Sequence, residues 1–163
     1  MRPAAGKILS RVELAARLAT HRQKKEKVVL ANGCFDLLHV GHLRYLEGAK
    51  GEGDVLVVAV NSDSGVRQLK GPGRPILSEQ ERAELVAGFE AVDYVVIFSE
   101  ANVEGLLAAL RPDVHAKGTD YTMATVPERS VAERLGVRVA IVGDRKDHST
   151  RDLLEKVRRA GNA

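Results

Sequence analysis

A chain of 163 residues, 44% apolar and 29% charged, is long enough for one domain with a proper core and short for two. Its 25 basic residues are spread among 22 acidic ones, so the formal charge is only +3; the lack of a long basic stripe or set of stacking aromatics argues against a dedicated DNA binder. Cys34 is the one cysteine, which rules out an internal disulfide and a thiolate zinc cage; no secretory leader and no run of ~20 apolar residues is present, so a cytoplasmic protein without membrane contact is expected.

Residues 1–26 read as a short tail and a helix, SRVELAARLATHRQKK, in which Ser10 and Glu13 stand at capping-box spacing. Val12, Leu14, Ala15 and Leu18 suit its buried side. Five short, mostly β-branched runs follow at 27–31, 54–60, 93–98, 113–117 and 137–142, each continuous enough to be covered on both faces. Helix-like segments alternate with them: Val40–Lys50, Ser78–Glu90 with a second capping box from Ser78 to Glu81, Asn102–Leu110, Val126–Leu135 and Ser149–Ala160. The order predicts one α/β domain over 1–163, with a core at 27–160 built on a doubly wound five-stranded parallel sheet and helices on both faces. Ligands of such sheets bind outside the carboxyl ends of the strands, where strand order reverses. The stretch KGPGRP, 70–75, reads as a loop, because its glycines and prolines oppose both helix and strand.

The segment GCFDLLHVGHLRYL falls where the first strand ends and a helix begins. Gly33 permits a tight turn, and Gly41 leaves the helix N-terminus open to a phosphate. His39 and His42 can point into the same mouth and stabilise charge developing on a phosphoryl group. A lone histidine here would more simply cap or pack; a pair flanked by Gly33, Asp36 and Gly41 favours a functional role. A metal site of His39, His42 and Asp36 is the weaker reading, since the chain has no H-E-x-x-H helix. Walker A and G-x-G-x-x-G patterns are both missing. Lys70 and Arg74 are either solvated charge or a basic cover over a phosphate site. Ser149 reads as an N-cap with Asp152 at the third helical position, or as the opening of a helix that receives phosphate oxygens. Lys117 and Gly118 suggest a ligand contact at a strand end, while Asp120 and Tyr121 could recognise ribose or base, although a turn aspartate and a half-buried tyrosine need no ligand. Cys34 is most simply a small apolar residue.

These residues carry a resemblance. GCFDLLHVGH resembles the GxFDxxHxGH signature of the cytidylyltransferase-like nucleotidyltransferases, a Rossmann-like superfamily whose paired histidines contact nucleotide phosphates. KGPGRPILSEQERAELVAGFEAVDYVVIF and RPDVHAKGTDY resemble the branch that forms ADP-heptose from D-glycero-β-D-manno-heptose 1-phosphate, over roughly residues 27 to 160. The resemblance implies catalytic roles for His39, His42 and Lys70, the last as the basic residue of the loop after the second strand. It implies nucleotide contacts at Gly33, Phe35, Asp36, Gly41, Arg82, Lys117, Gly118, Asp120, Tyr121, Ser149 and Thr150; Arg74, from the reading of the basic loop alone, is a candidate substrate contact. The family's final helix often opens on Ser-Thr-Thr; here Arg151 takes the third place.

The reaction so implied is in-line attack of a sugar 1-phosphate on the α-phosphorus of ATP, with Mg²⁺ held mainly by the nucleotide phosphates and no protein ligand assigned. The partners are ATP and the sugar 1-phosphate, without nucleic acid or membrane. A free-standing adenylyltransferase and a homodimer or larger assembly are expected. The alternatives are a cytidylyltransferase acting on glycerol 3-phosphate or another phosphorylated small alcohol, a non-catalytic nucleotide sensor, and a metal-binding regulatory domain.

Overall fold

In the computed structural model, which describes residues 3–145 and 149–161, the β-branched runs form β1 (Val28–Gly33), β2 (Val55–Asn61), β3 (Tyr94–Phe98), β4 (Val114–Gly118) and β5 (Arg138–Val142). All pair in parallel, in the order β3-β2-β1-β4-β5. Every residue of β2 is buried, as continuous apolar patterning requires of an inner strand. The helices are α1 (Arg11–Gln23), α2 (Val40–Lys50), α3 (Asp63–Lys70), α4 (Glu79–Ala87), α5 (Glu104–Leu110), α6 (Arg129–Leu135) and α7 (Thr150–Gly161). One core packs Leu14 and Leu18 of α1 and Leu106, Leu107 and Leu110 of α5 on Val28 and Leu30. The other packs Leu46 and Ala49 of α2 and Val86 of α4 on Val29 and Ala31. The period-2 alternation along β1 divides it between the two layers. No helix of the described residues is long and apolar enough to cross a membrane.

Both capping boxes form: Ser10 accepts from the Glu13 N–H and Ser78 from the Glu81 N–H, each glutamate reaching back to the cap. Six expectations need correction. Val12 is 81% exposed, because two residues along a helix turn it about 200° away from Leu14. The tail is tied down, with a 3₁₀ turn over Ala4–Lys7 and Ile8 bridging to Val95 at the outer edge of β3. The helix expected from Asn102 begins at Glu104, and that expected from Val126 begins at Arg129. A further helix, α3, follows β2; its serine, aspartate and glycine suggest a loop, yet Ser62 caps the Gly65 N–H and Asp63 complements the helix dipole. Lys70 is therefore the last residue of α3 and not part of a loop, which starts at Gly71 with φ +90°.

Candidate active site

The site begins with a mismatch in strand pairing. β1 stays paired with β2 as far as Gly33↔Val60, but with β4 only as far as Ala31↔Ala116. The hydroxyl of Tyr45, from α2, fills the divergence: it accepts from the Asn32 N–H at 3.3 Å and donates to the Ala116 carbonyl at 2.9 Å. Two backbone groups that the ladder abandons are thereby satisfied. A cavity of about 850 Å³ opens above this point, at the carboxyl ends of the strands.

The turn after β1 builds its floor. Phe35 adopts φ +49° and lays its ring over Gly33, where an added Cβ would lie 3.1 Å from the ring, and against His42 with centroids 5.3 Å apart. Asp36, only 3% exposed, accepts from the backbone N–H of Ile76 at 2.7 Å and of Leu77 at 3.3 Å, and pairs with Arg74. Its carboxylate is thus spent on pinning the 71–77 loop beside the cavity, and it does not join the histidines in a ligand set. Arg74 faces the cavity with its charge already answered by Asp36.

His39 is the N-cap of α2 and His42 lies in its first turn, so the imidazoles stack with centroids 4.0 Å apart at the cavity wall. The His39 N–H donates to His42 Nδ1 at 3.3 Å, which puts the His42 proton on Nε2. Burial, then His39 and then Lys70, lower its pKa from 6.5 to about 4. At neutral pH His42 is an uncharged N–H donor. Gly41, between the two histidines in sequence, also lines the cavity, in the first turn where backbone N–H groups lack helix acceptors.

Lys117 and Gly118 end β4 on the opposite wall. The Lys117 ammonium sits 3.5 Å from Glu128 Oε2 and 4.5 Å from the Tyr121 ring centroid. Burial lowers its pKa, and the Glu128 carboxylate works against that shift. Asp120 and Tyr121 line the same wall. Ser149 caps α7, accepting from the Asp152 N–H at 3.1 Å, and the Thr150 hydroxyl donates to the Leu37 carbonyl at 3.3 Å. That bond sets the α7 N-terminus beside the approach to α2, and both residues face the cavity. Lys70 stands exposed at the rim.

Arg82 is the one expected contact that the structure places elsewhere. It is fully buried and does not line the cavity. Its guanidinium donates to the carbonyls of Leu77 (3.0 Å), Cys34 (2.6 Å) and Asn61 (2.7 Å) and to Asp63 Oδ1 (2.8 Å). The planar fork ties together the ends of β1 and β2 and the start of α4, a structural role rather than a nucleotide contact.

Sequence reasoning missed Asn32, Asn61, Tyr45 and Glu128. Asn32 could have been found, since it directly precedes Gly33 at a strand end; nothing local marks Glu128 as the partner of Lys117. Among the described residues no group of three or more His, Cys, Asp or Glu side chains is placed to hold a metal ion.

A half-buried histidine pair at a helix N-terminus, set over the switch point of a parallel sheet, defines an α/β protein whose cavity opens at the carboxyl ends of its strands. A model of the cytidylyltransferase-like family matches residues 30–160, and the chain belongs to that family. It is 49% identical over 153 residues to the bifunctional protein HldE of Koribacter versatilis, covering 94% of this chain and 32% of that protein. It is 45% identical over 151 residues to the HldE of Syntrophotalea carbinolica, covering 93% and 31%. The chain therefore spans about a third of the length of these curated relatives. Among solved structures, a lipopolysaccharide core biosynthesis protein from Thermoplasma volcanium superposes with TM-score 0.64 at 28% identity, over 74% of this chain and 99% of that one. Pantoate-beta-alanine ligase from Francisella tularensis, at 14% identity and TM-score 0.67 over 90% of this chain and 72% of that one, shares the fold.

Proposed function

We propose that the chain is a nucleotidyltransferase that moves the adenylyl group of ATP onto D-glycero-β-D-manno-heptose 1-phosphate, giving ADP-heptose and pyrophosphate. The stacked His39–His42 pair at the α2 N-terminus, with His42 a neutral Nε2–H donor, is the observation that carries the reading. Family membership supports nucleotidyl transfer, and similarity to HldE proteins and to a lipopolysaccharide core biosynthesis protein supports a sugar acceptor.

An oxygen of the acceptor phosphate attacks the α-phosphorus in line, and the bond to the bridging oxygen breaks as the electron pair leaves with pyrophosphate. The attacking oxygen is already anionic at neutral pH, so no general base is needed; alignment and charge stabilisation remain. In this scheme His42 donates from Nε2 to the α-phosphoryl oxygens, with His39 stacked beside it. The first turns of α2 and α7 offer N–H groups to the triphosphate, and Lys70 and Lys117 supply positive charge from opposite walls. The described residues offer no ready cage for a metal, so Mg²⁺ is assigned to the incoming nucleotide as part of the substrate.

Purified protein assayed for pyrophosphate release, with ATP or CTP against a panel of phosphorylated acceptors, tests the reading. ATP with the heptose 1-phosphate is expected to give the highest kcat/KM. Preference for CTP with glycerol 3-phosphate would reassign the substrate, and ATP binding without release under any acceptor would make the chain a sensor.

A further inference from the structure

Beneath the cavity lies a pair of polar side chains that the scheme above does not use. Asn32 lines the cavity where β1 and β4 part, and its backbone N–H is already taken by Tyr45. His115, on β4, is 0% exposed, and its Nε2 lies 3.0 Å from Asn32 Oδ1. The register explains the meeting: His115 stands opposite Leu30, and Asn32 is the next residue of β1 on that face.

The proton in this bond can be placed from what surrounds it. Nδ1 of His115 is buried with no hydrogen-bond partner. A buried N–H left without an acceptor is rarer than an unpaired acceptor, so the hydrogen belongs on Nε2 and is donated to the amide oxygen. Burial first, and Lys117 second, lower the His115 pKa to about 3, so the ring stays neutral while it donates. With Oδ1 held from below, the Asn32 NH₂ group is oriented away from His115, and it stands in the wall of a cavity that His42, Lys70 and Lys117 also line.

We propose that Asn32 is a ligand-binding residue whose side-chain NH₂ donates to a phosphate oxygen, and that His115 is the positioning residue that fixes the amide in that orientation. The surrounding cations and N–H donors select an anionic oxygen, to which Asn32 adds a hydrogen bond without a further charge. That the oxygen belongs to ATP or to the acceptor phosphate rests on the nucleotidyltransferase reading.

The test uses Asn32→Ala, His115→Leu, His115→Gln and the Asn32→Ala/His115→Leu double variant. Dissociation constants for ATP and for inorganic pyrophosphate come from titration calorimetry, and the acceptor KM from pyrophosphate release. Asn32→Ala is expected to weaken one ligand roughly 10- to 100-fold, the loss of a hydrogen bond to a charged oxygen. His115→Leu reproduces most of that loss, His115→Gln restores it, and the double variant is no weaker than Asn32→Ala, because His115 acts only through the amide. A weakened ATP constant assigns the oxygen to the nucleotide; a raised acceptor KM alone assigns it to the acceptor. ATP and pyrophosphate dissociation constants and an acceptor KM that all stay within twofold of wild type for Asn32→Ala, multiplying losses in the double variant, or an effect of His115→Leu confined to melting temperature would each overturn the proposal. A wild-type protein that binds ATP yet releases no pyrophosphate removes the transfer reading while the titrations still decide Asn32. A wild-type protein that binds neither ATP nor pyrophosphate overturns both.

Discussion

Replacing Arg82 by methionine separates the two roles that the sequence and the structure suggest for this residue. Methionine keeps most of the volume and removes the charge with all of its donors. Three carbonyls, those of Cys34, Asn61 and Leu77, then lose a guanidinium partner, while Asp63, a third exposed, regains water. Each buried acceptor left unpaired costs about 1–3 kcal/mol, and dismantling a buried charge network typically costs 3–5 kcal/mol, so a loss of about 4 kcal/mol is expected. For a domain of this length that lowers Tm by roughly 10 °C and shifts the urea midpoint at unchanged slope. Because Cys34 and Asn61 both line the cavity, activity falls as well, and it falls with stability. A variant that unfolds within two degrees of wild type while its ATP affinity drops tenfold or more would refute this, since Arg82 would then have to reach the ligand itself.

Four other predictions follow from the site. His42→Ala should lower kcat by roughly 10²–10³ with little change in Tm, as loss of a preorganised donor does, and near-normal turnover would remove His42 from the chemistry. His42 titrates only near pH 4, so kcat should show no acid limb from this group between pH 5 and 8, whereas an inflection near 6.5 that His42→Ala abolishes would contradict the neutral donor. His115 is harder to protonate folded, near pH 3, than unfolded, near 6.5; its stabilisation is complete above pH 6.5 and is lost as the pH falls below it, by about 2 kcal/mol at pH 5. His115→Leu should therefore flatten the urea midpoint between pH 8 and 5, and an unchanged slope would sink the argument. Glu128→Gln removes the carboxylate that offsets burial of Lys117, so the Lys117 pKa should fall further and stability should drop by about 3 kcal/mol, read by urea denaturation and by the pH dependence of ATP affinity.

Much of the framework can be read locally. The strands are short apolar runs, both serine caps carry their glutamate three residues on, and the two histidines fall at a helix start, so each of these features is decided within a few residues of chain. The misreadings share one cause. α3 looks like a loop because serine, aspartate and glycine compete with helix formation until Ser62 closes a cap, and with that helix Lys70 moves from a loop to a helix end. Arg82 carries the charge expected of a ligand contact and is instead used up inside the protein, while Asp36 lines the cavity with its carboxylate engaged by the 71–77 loop.

Patterning along the chain therefore determined the alternation of strands and helices, the parallel sheet and the placing of the histidine pair, because periodicity and capping are short-range properties. Only the tertiary structure decided strand order, the parting of β1 from β4, and the pairing of Arg82 with four acceptors, Lys117 with Glu128 and His115 with Asn32. Those contacts join segments between 5 and 83 residues apart, so their geometry exists only once the sheet register has brought the segments together.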